Sequence, residues 1–277
     1  MAISVSGLSS ISTDNGATWV AGGALPAGTW AGLTHGKGLF VAVANGTVAA
    51  TSPDGVTWTP RTLSASQTWK AVTCGGDLFV AVGTGTATSV SVDGMTWTAG
   101  GSVPNGSWTA ITRGNGLFVA VAVGSATAVS SPDGATWTSR ALPASSNWYS
   151  ITCGKGVFVV VASTSAPIAF SFNGLDWFGG GAASSLGSPS IVFGGGVFMV
   201  MPLTGTSFFY MPTILQFALV TLSASLTWTA SAFGNGALVA VGTTASAVRA
   251  NVFSATNFNL PLVKPSDGLR TAYIKVA

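Results

Sequence analysis

The sequence predicts an all-β chain that folds as a seven-bladed β-propeller of four-stranded blades. Two observations carry this prediction. The ten tryptophans of the chain fall on one repeated spacing, and one turn phrase recurs at a step of 39 to 41 residues. Seven such periods account for all 277 residues. Internal similarity at this length is typical of solenoids and propellers, because each repeat is one small unit that must stack on its neighbours.

The tryptophans form two sets. Those of the first set end the turn phrase, and four members of the second set follow them by eleven residues. The first set is Trp19, Trp58, Trp97, Trp137 and Trp177. The second set is Trp30, Trp69, Trp108, Trp148 and Trp228. Where tryptophan is absent, the same places are taken by Ser188, Phe217, Phe258 and Leu269.

Residues 30–68 illustrate how one repeat forms four antiparallel strands. Asn45-Gly46 is a strong hairpin signal, and Pro53-Asp54-Gly55 is a second turn. In the turn at 35–38 we expect the glycines to adopt positive φ. The predicted strands are 30–34, 39–44, 48–52 and a fourth that begins at 57–59.

The two ends of the chain are predicted to complete one blade together. Leu269 takes the seventh first-strand position, and the sequence after it is long enough for one strand. The first residues of the chain supply the other three strands. We therefore expect a single domain over 1–277, with blade seven built from 269–277 plus 1–22, because pairing the ends removes exposed sheet edges. The alternative prediction is a six-bladed ring with a loose N-terminal hairpin.

The composition argues against several classes of function. The chain is 48% hydrophobic and 6% charged, with a net charge of +3 from scattered basic residues and no Glu. Scattered basic residues argue against nucleic-acid binding. The most apolar stretch, 208–220, contains Pro212 and is shorter than the ~20 residues that a spanning helix needs, so no membrane insertion is expected. The first residues do not resemble a signal peptide, which predicts synthesis in the cytoplasm.

Enzyme activity, a metal and a cofactor are all expected to be absent. Glycoside hydrolysis normally needs two carboxylates that flank the bond. Four of the seven aspartates are assigned to turns, and the rest fall in different blades. His35 is the only histidine, and the sequence has no Cys-x-x-Cys pair that would suggest a metal site.

A set of side chains is expected at one mouth of the central channel. These residues stand five positions after each first-strand anchor, and the candidates are His35, Cys74, Arg113 and Cys153. Phe193, Phe233 and Ile274 continue the series. Two interpretations stay open. The ring could bind a ligand through His35 and Arg113, or it could be a plug of mixed side chains.

The fifth period, about 188–222, departs from the pattern. Its D-G turn is replaced by an aromatic and Met-rich segment. Exposed apolar patches of this kind often mark protein contacts. Two hypotheses therefore stand: the segment forms an interface with another protein, or it packs differently inside its own blade. The candidate interface residues are Phe208, Phe209, Tyr210, Met211, Ile214 and Leu215.

The turn phrase resembles the Asp-box of sialidase-like (BNR-like) propellers. Residues 12–19 have the full S-x-D-x-G-x-T-W spacing, and the later copies are one residue shorter. In such a turn the aspartate accepts backbone N–H groups and the glycine adopts positive φ. The resemblance implies that the boxes lie at the blade periphery, away from any active site. The predicted structural turn residues are Asp14, Asp54, Asp93, Asp133 and Asn173.

The G-x-G-L-F-V-A-V and S-x-D-G-x-T-W phrases, together with the end of the chain at 258–275, resemble propeller domains of tailed-bacteriophage virion proteins. The resemblance implies a non-enzymatic structural protein located in the virion, as a tail, fibre or head-decoration module. Its partners would be other virion proteins, a second copy of the chain, or a host-surface glycan or protein. A secreted or surface bacterial propeller that binds glycans or proteins stays open, and so, more distantly, does an Asp-box glycosidase.

Overall fold

The computed structural model consists of β-strands joined by turns across its described residues. Those residues are 1–163, 167–182, 187, 189–213, 216–234, 237–242, 247–251, 262–263 and 269–272. The strands of the first half are β1 (Ala2–Ser4), β2 (Leu8–Ile11), β3 (Val20–Ala24), β4 (Trp30–Gly36), β5 (Leu39–Ala44), β6 (Gly46–Ser52), β7 (Thr59–Gly75), β8 (Leu78–Gly85), β9 (Ser89–Ser91), β10 (Thr98–Ala99), β11 (Gly106–Gly114), β12 (Leu117–Val123), β13 (Ser125–Ser131) and β14 (Thr138–Ser146).

The second half continues in the same way. Its strands are β15 (Trp148–Gly154), β16 (Val157–Ala162), β17 (Pro167–Ser171), β18 (Phe178–Ala182), β19 (Ser190–Gly194), β20 (Val197–Met201), β21 (Thr204–Thr213), β22 (Gln216–Gly234), β23 (Ala237–Gly242), β24 (Ala247–Asn251), β25 (Leu262–Val263) and β26 (Leu269–Ala272).

Antiparallel pairing divides the strands into groups of four. Strands β7 and β22 are long because each ends one group and begins the next. The groups are β4-β5-β6-β7, β7-β8-β9-β10, β11-β12-β13-β14, β15-β16-β17-β18, β19-β20-β21-β22, β22-β23-β24-β25 and β26-β1-β2-β3. Strand β11 also pairs with the end of β8, through Gly106 and Gly85.

The first strands that begin at a tryptophan anchor share one irregularity. In β4 the pairing register with β5 shifts between Trp30 and Gly32. The same shift follows Trp69 in β7 and Trp108 in β11. A bulge of this kind bends and twists a strand locally, so it recurs where each first strand leaves its tryptophan anchor.

The turn between the first and second strands is a two-residue hairpin with both residues at positive φ. In the first repeat these are Lys37 at 52° and Gly38 at 78°, as a type I′ turn requires. The expectation of positive φ is therefore met at Gly38, whereas Gly36 lies in β4 outside the left-handed region. Gly36 instead lies close to Cys74 of the next first strand, β7.

The core lies between successive groups. One layer joins Val41 and Ala49 of one group to Trp69 and Phe79 of the next, and all four are fully buried. Both faces of the sheets are covered in this way, which explains why second strands such as β5 are continuously apolar.

The two ends of the chain lie in one sheet. Strand β26 pairs antiparallel with β1, with Ala272 opposite Ala2 and Thr271 opposite Ile3. Strand β26 also contacts β22 on one side and β4 on the other. Burial lowers the pKa of the Met1 amino group to about 5, and the Met1 side chain joins a core cluster with Trp30.

Candidate functional site

Six first strands contribute residues to a cavity of ≈ 320 Å³. Three consecutive described residues from each of six chain segments line it, next to the anchor positions: 31–33, 70–72, 109–111, 149–151, 189–191 and 229–231. Thr109, Tyr149 and Ser150 are among the lining residues, and Lys70 is the one charged residue among the described residues of the lining. The cavity is therefore polar and carries positive charge.

Hydroxyl side chains join neighbouring first strands along this wall. Thr109 Oγ1 donates a hydrogen bond to the carbonyl of Trp148 at 2.7 Å. The backbone N–H of Ile191 donates to Ser150 Oγ at 3.1 Å. Ser190 and Ser231 share a hydrogen bond between their Oγ atoms at 2.6 Å. These bonds satisfy half-buried polar groups, so the wall is tied together from strand to strand.

The residues predicted for a channel mouth lie at the other end of the first strands, and several of them pack against the preceding first strand. Cys74 packs against Gly36 of the preceding first strand, and Cys153 packs against Gly114. A Cβ on either glycine would overlap with the thiol beside it. Glycine is therefore required at these positions by close approach, which is a steric reason and not a conformational one.

Arg113 and His35 each contact the phenylalanine that lies opposite them on the second strand of their own group. The Arg113 guanidinium carbon lies 4.4 Å from the centroid of the Phe118 ring, a cation–π contact. The rings of His35 and Phe40 have centroids 4.8 Å apart. Burial raises the pKa of the Cys74 and Cys153 thiols, which keeps them protonated near neutral pH and weakly nucleophilic. Across the described ranges, no three His, Cys, Asp or Glu side chains come together as a metal site would need.

The predicted turn residues hold their hairpins through local hydrogen bonds. Asp54 Oδ1 accepts the N–H groups of Val56 at 2.8 Å and Thr57 at 2.9 Å. Ser52 donates to the same oxygen, and its own Oγ accepts the N–H of Gly55 at 2.7 Å.

The same bonds recur at Asp93, Asp133 and Asn173. In the longer first copy, Thr18 donates to Asp14 through its hydroxyl and its N–H. These bonds lower the pKa of Asp14, mainly through the Thr18 hydroxyl, and of Asp93, mainly through the Thr96 N–H, each to about 2.

The fifth turn is the most altered of the described set. Asn173 donates from Nδ2 to the carboxylate of Asp176 at 2.8 Å. In the other four turns the tryptophan indole donates to the glycine carbonyl, as Trp137 does to Gly134 at 3.1 Å. The buried Nε1 of Trp177 makes no hydrogen bond among the described residues.

Beside this turn lies an apolar surface that the sequence reasoning missed. It is formed by Phe170, Phe172 and Phe178, referred to below as the Phe cluster. The ring centroid of Phe170 lies 5.6 Å from that of Phe172 and 5.7 Å from that of Phe178. Phe172 is 57% exposed and Phe178 50%. The available signal was Phe172 in the place of the Pro or Val of other repeats, two residues after Phe170 and directly after the end of β17.

The predicted interface of the fifth period falls mostly outside the described residues. Ile214 and Leu215 lie outside them, and so do the side chains of Phe208, Phe209, Tyr210 and Met211. The backbone of β21 is described, and it pairs with β22 so that Phe209 stands opposite Leu219.

No protein-family model matches the sequence, and no curated protein matches it. Solved structures do resemble the fold. A catalytically inactive virginiamycin B lyase from Staphylococcus aureus with quinupristin has a TM-score of 0.75 at 14% identity, covering 93% of this chain and 88% of that one. YCF48 bound to D1 peptide has a TM-score of 0.66 at 16% identity, covering 94% and 87%. The nidogen/laminin complex has a TM-score of 0.59 at 10% identity, covering 92% and 88%.

These neighbours are β-propellers, and the chain has a propeller fold. They also correct the prediction that it is not an enzyme, because similar solved structures include virginiamycin B and streptogramin B lyases. That prediction was wrong to argue from missing glycosidase carboxylates, since the fold also carries other chemistry. At these identities the likeness assigns no reaction to this chain. None of the described segments forms a helix that could cross a membrane.

Proposed function

We propose that this chain is a seven-bladed propeller that docks to other proteins as a structural component of a tailed-bacteriophage virion. The observation that carries the docking role is the Phe cluster, an exposed aromatic surface on a chain with few charges. A virion protein functions as part of an assembly, in which a neighbouring protein covers such a surface.

Three observations support a ring of seven. The repeat position recurs seven times at a step of 39 to 41 residues, with tryptophan at five positions and phenylalanine at the other two. The first strands contact one another in chain order, from β4 through β7, β11, β15, β19 and β22 to β26, and β26 contacts β4. The ends of the chain share one sheet through β1 and β26.

The chemistry of the Phe cluster supports a protein partner. Interface cores are enriched in aromatic residues and depleted of charge. Leu175, which is 37% exposed, lies on the turn between Phe172 and Phe178. Asn115 donates hydrogen bonds to the carbonyls of Phe172 and Gly156, so the turn is held against the neighbouring group of strands. The surface is thus preformed, which favours docking because little ordering is needed on binding.

Propellers of similar fold bind proteins or peptides. One neighbour is YCF48 with D1 peptide, and another is the nidogen/laminin complex. These pairings support protein docking as a use of the fold. The assignment to a virion rests on the sequence phrases and on the low charge of the chain.

Particle incorporation tests this proposal. The double variant Phe172→Ser/Phe178→Ser is introduced in the virus-producing culture, and the amount of chain in gradient-purified particles is measured by quantitative mass spectrometry. We expect wild-type chain at a fixed ratio to the major structural proteins, and loss of most of it with the double variant. The matched control is Val56→Ser, since Val56 is 53% exposed but stands apart from the Phe cluster on an earlier turn.

Two outcomes would overturn the proposal. Absence of the wild-type chain from purified particles would remove the virion role, and binding of that chain to a glycan array would then favour the bacterial surface propeller. Normal incorporation of a folded double variant would remove the Phe cluster as the docking surface.

A further inference from the structure

The channel cavity carries a charge that no described group neutralises. Lys70 lines it from β7, and the part of the lining that the structure describes contains no Asp or Glu. Among the described residues the recorded ion pair is Lys37–Asp77 at 3.6 Å, in the turns at the opposite end of the first strands. Lys70 therefore lines a polar cavity, and it has no carboxylate partner among the described residues.

The cavity has the size of a small ligand site. At ≈ 320 Å³ it lies near the lower end of the range of about 300–1,000 Å³ that is usual for such pockets. A folded domain cannot enter this volume, whereas the end of an extended chain or a few residues of it can. The fixed hydroxyl ties around it make the wall rigid, so the site is preformed.

The walls also suit a peptide backbone. Strands β4, β15 and β19 are the end strands of their sheets, although the Trp148 carbonyl and the Ile191 N–H already bond to hydroxyl side chains. A sheet edge presents backbone N–H and C=O groups that have no ladder partner. Extended peptides are recognised by such groups, and Tyr149 adds a phenolic hydroxyl that can donate to a carboxylate.

We propose that this cavity binds a carboxylate-bearing extended peptide, with the carboxylate at Lys70. The inference rests on the proposed docking function in one respect, namely that the peptide belongs to a docking partner. The carboxylate could be a chain terminus or an acidic side chain. Both offer the same chemistry to an ammonium group.

The test uses the purified full-length chain and tetrapeptide probes. The acetylated peptide Ala-Ser-Ala-Asp with a free C-terminus is compared with its C-terminal amide, with the Asn version, and with the peptide that lacks both carboxylates. Binding is measured by titration calorimetry and by amide NMR shifts of the residues that line the cavity. We expect binding of the carboxylate peptides with shifts at Ser150 and Ser231, and none for the neutral peptide. The C-terminal amide and the Asn version each lack one of the two carboxylates, so their binding shows which carboxylate Lys70 contacts.

Two lysine variants make the test specific. Lys70→Met should weaken peptide binding by roughly tenfold or more, because charged hydrogen bonds contribute about 1.5–3 kcal/mol. Lys70→Arg should restore part of the affinity. Lys37→Met is the matched control, since it changes the net charge equally but lies at the other end of the first strands, and it should leave binding unchanged.

Three results would overturn the proposal. They are equal binding of the neutral peptide, equal effects of Lys70→Met and Lys37→Met, and equal displacement of the peptide by inorganic phosphate at matched concentration. The experiment uses the isolated chain, so its failure leaves the particle-incorporation result intact. Conversely, peptide binding would persist if the chain proved absent from virions.

Discussion

Cys153 of β15 packs directly on Gly114 of β11, the preceding first strand, and a Cβ on Gly114 would overlap with its thiol sulfur. The same relationship joins Cys74 to Gly36. In the described first strands from β7 onward, a mouth residue thus rests on the glycine that follows the mouth residue of the preceding strand. This contact sets how closely neighbouring first strands approach at this end of the channel.

Substitution of Gly114 by Ala should therefore destabilise the fold. Overpacking of a well-packed site typically costs about 1–3 kcal/mol, and we expect a corresponding loss in the free energy of unfolding in urea. Adding Cys153→Gly should recover part of this loss by removing the overlapping atoms. Gly106→Ala is the control, because its Cβ would meet its nearest neighbour at 3.5 Å. Additive effects of Gly114→Ala and Cys153→Gly would contradict the packing account.

The buried serine of a turn should matter for stability. The Ser52 side chain is fully buried, and its hydroxyl accepts the N–H of Gly55 while it donates to Asp54. Ser52→Ala leaves that N–H unsatisfied, which should cost about 1–3 kcal/mol. Chemical denaturation measures the effect, with the exposed Ser139→Ala as the comparison. Equal midpoints for the two variants would be inconsistent with a structural turn.

Stability should also fall in acid. The pKa of Asp14 and of Asp93 is about 2, below the ordinary value of 3.8. A carboxyl whose pKa is lowered in the folded state stabilises the fold above its unfolded pKa, and the contribution is lost as pH falls through the folded pKa. We expect the urea midpoint to decrease between about pH 4 and 2.

Asp93→Asn provides the control for this pH effect. Asn173 makes the equivalent two backbone bonds in the fifth turn, so the asparagine can hold the turn without titrating. The variant should fold and show a smaller decrease over the same pH range. An unchanged pH profile in the variant would rule out Asp93 as a contributor.

Removal of the last strand tests how the ends are joined. Deletion of 270–277 takes away most of β26, and Ala2 and Ile3 lose their partner strand. If the ring is closed there, the deletion should lower the melting temperature of the whole chain, and a synthetic peptide of 266–277 should restore it. A melting curve that the deletion leaves unchanged would favour the six-bladed alternative.

The strands and most of the turns could be predicted from the sequence. The spacing from Trp58 to Trp69 reflects how the last strand of one group runs into the first of the next, and the structure makes it one strand, β7. The two-residue hairpins were also readable, because Gly38 needs positive φ. These features depend on short stretches of chain, so spacing and turn residues determine them.

Features that depend on distant neighbours were not readable. Gly36 appeared to be a turn glycine, whereas its role is set by Cys74 on the next first strand. The exposure of Phe172 and Phe178 depends on which strands cover them, which periodicity does not indicate. The exclusion of enzymes failed for a similar reason, since composition argues only against the chemistry that was considered. The cavity at Lys70 arises from six segments that are far apart in sequence.

The most direct test of the central claim is a cryo-electron microscopy map of the native virion, with this chain fitted into it. We predict that a second protein contacts Phe172 and Phe178, and that it covers the exposed part of both rings. A map in which the chain is present but both rings face solvent would contradict the docking surface, and a complete virion without the chain would contradict the function.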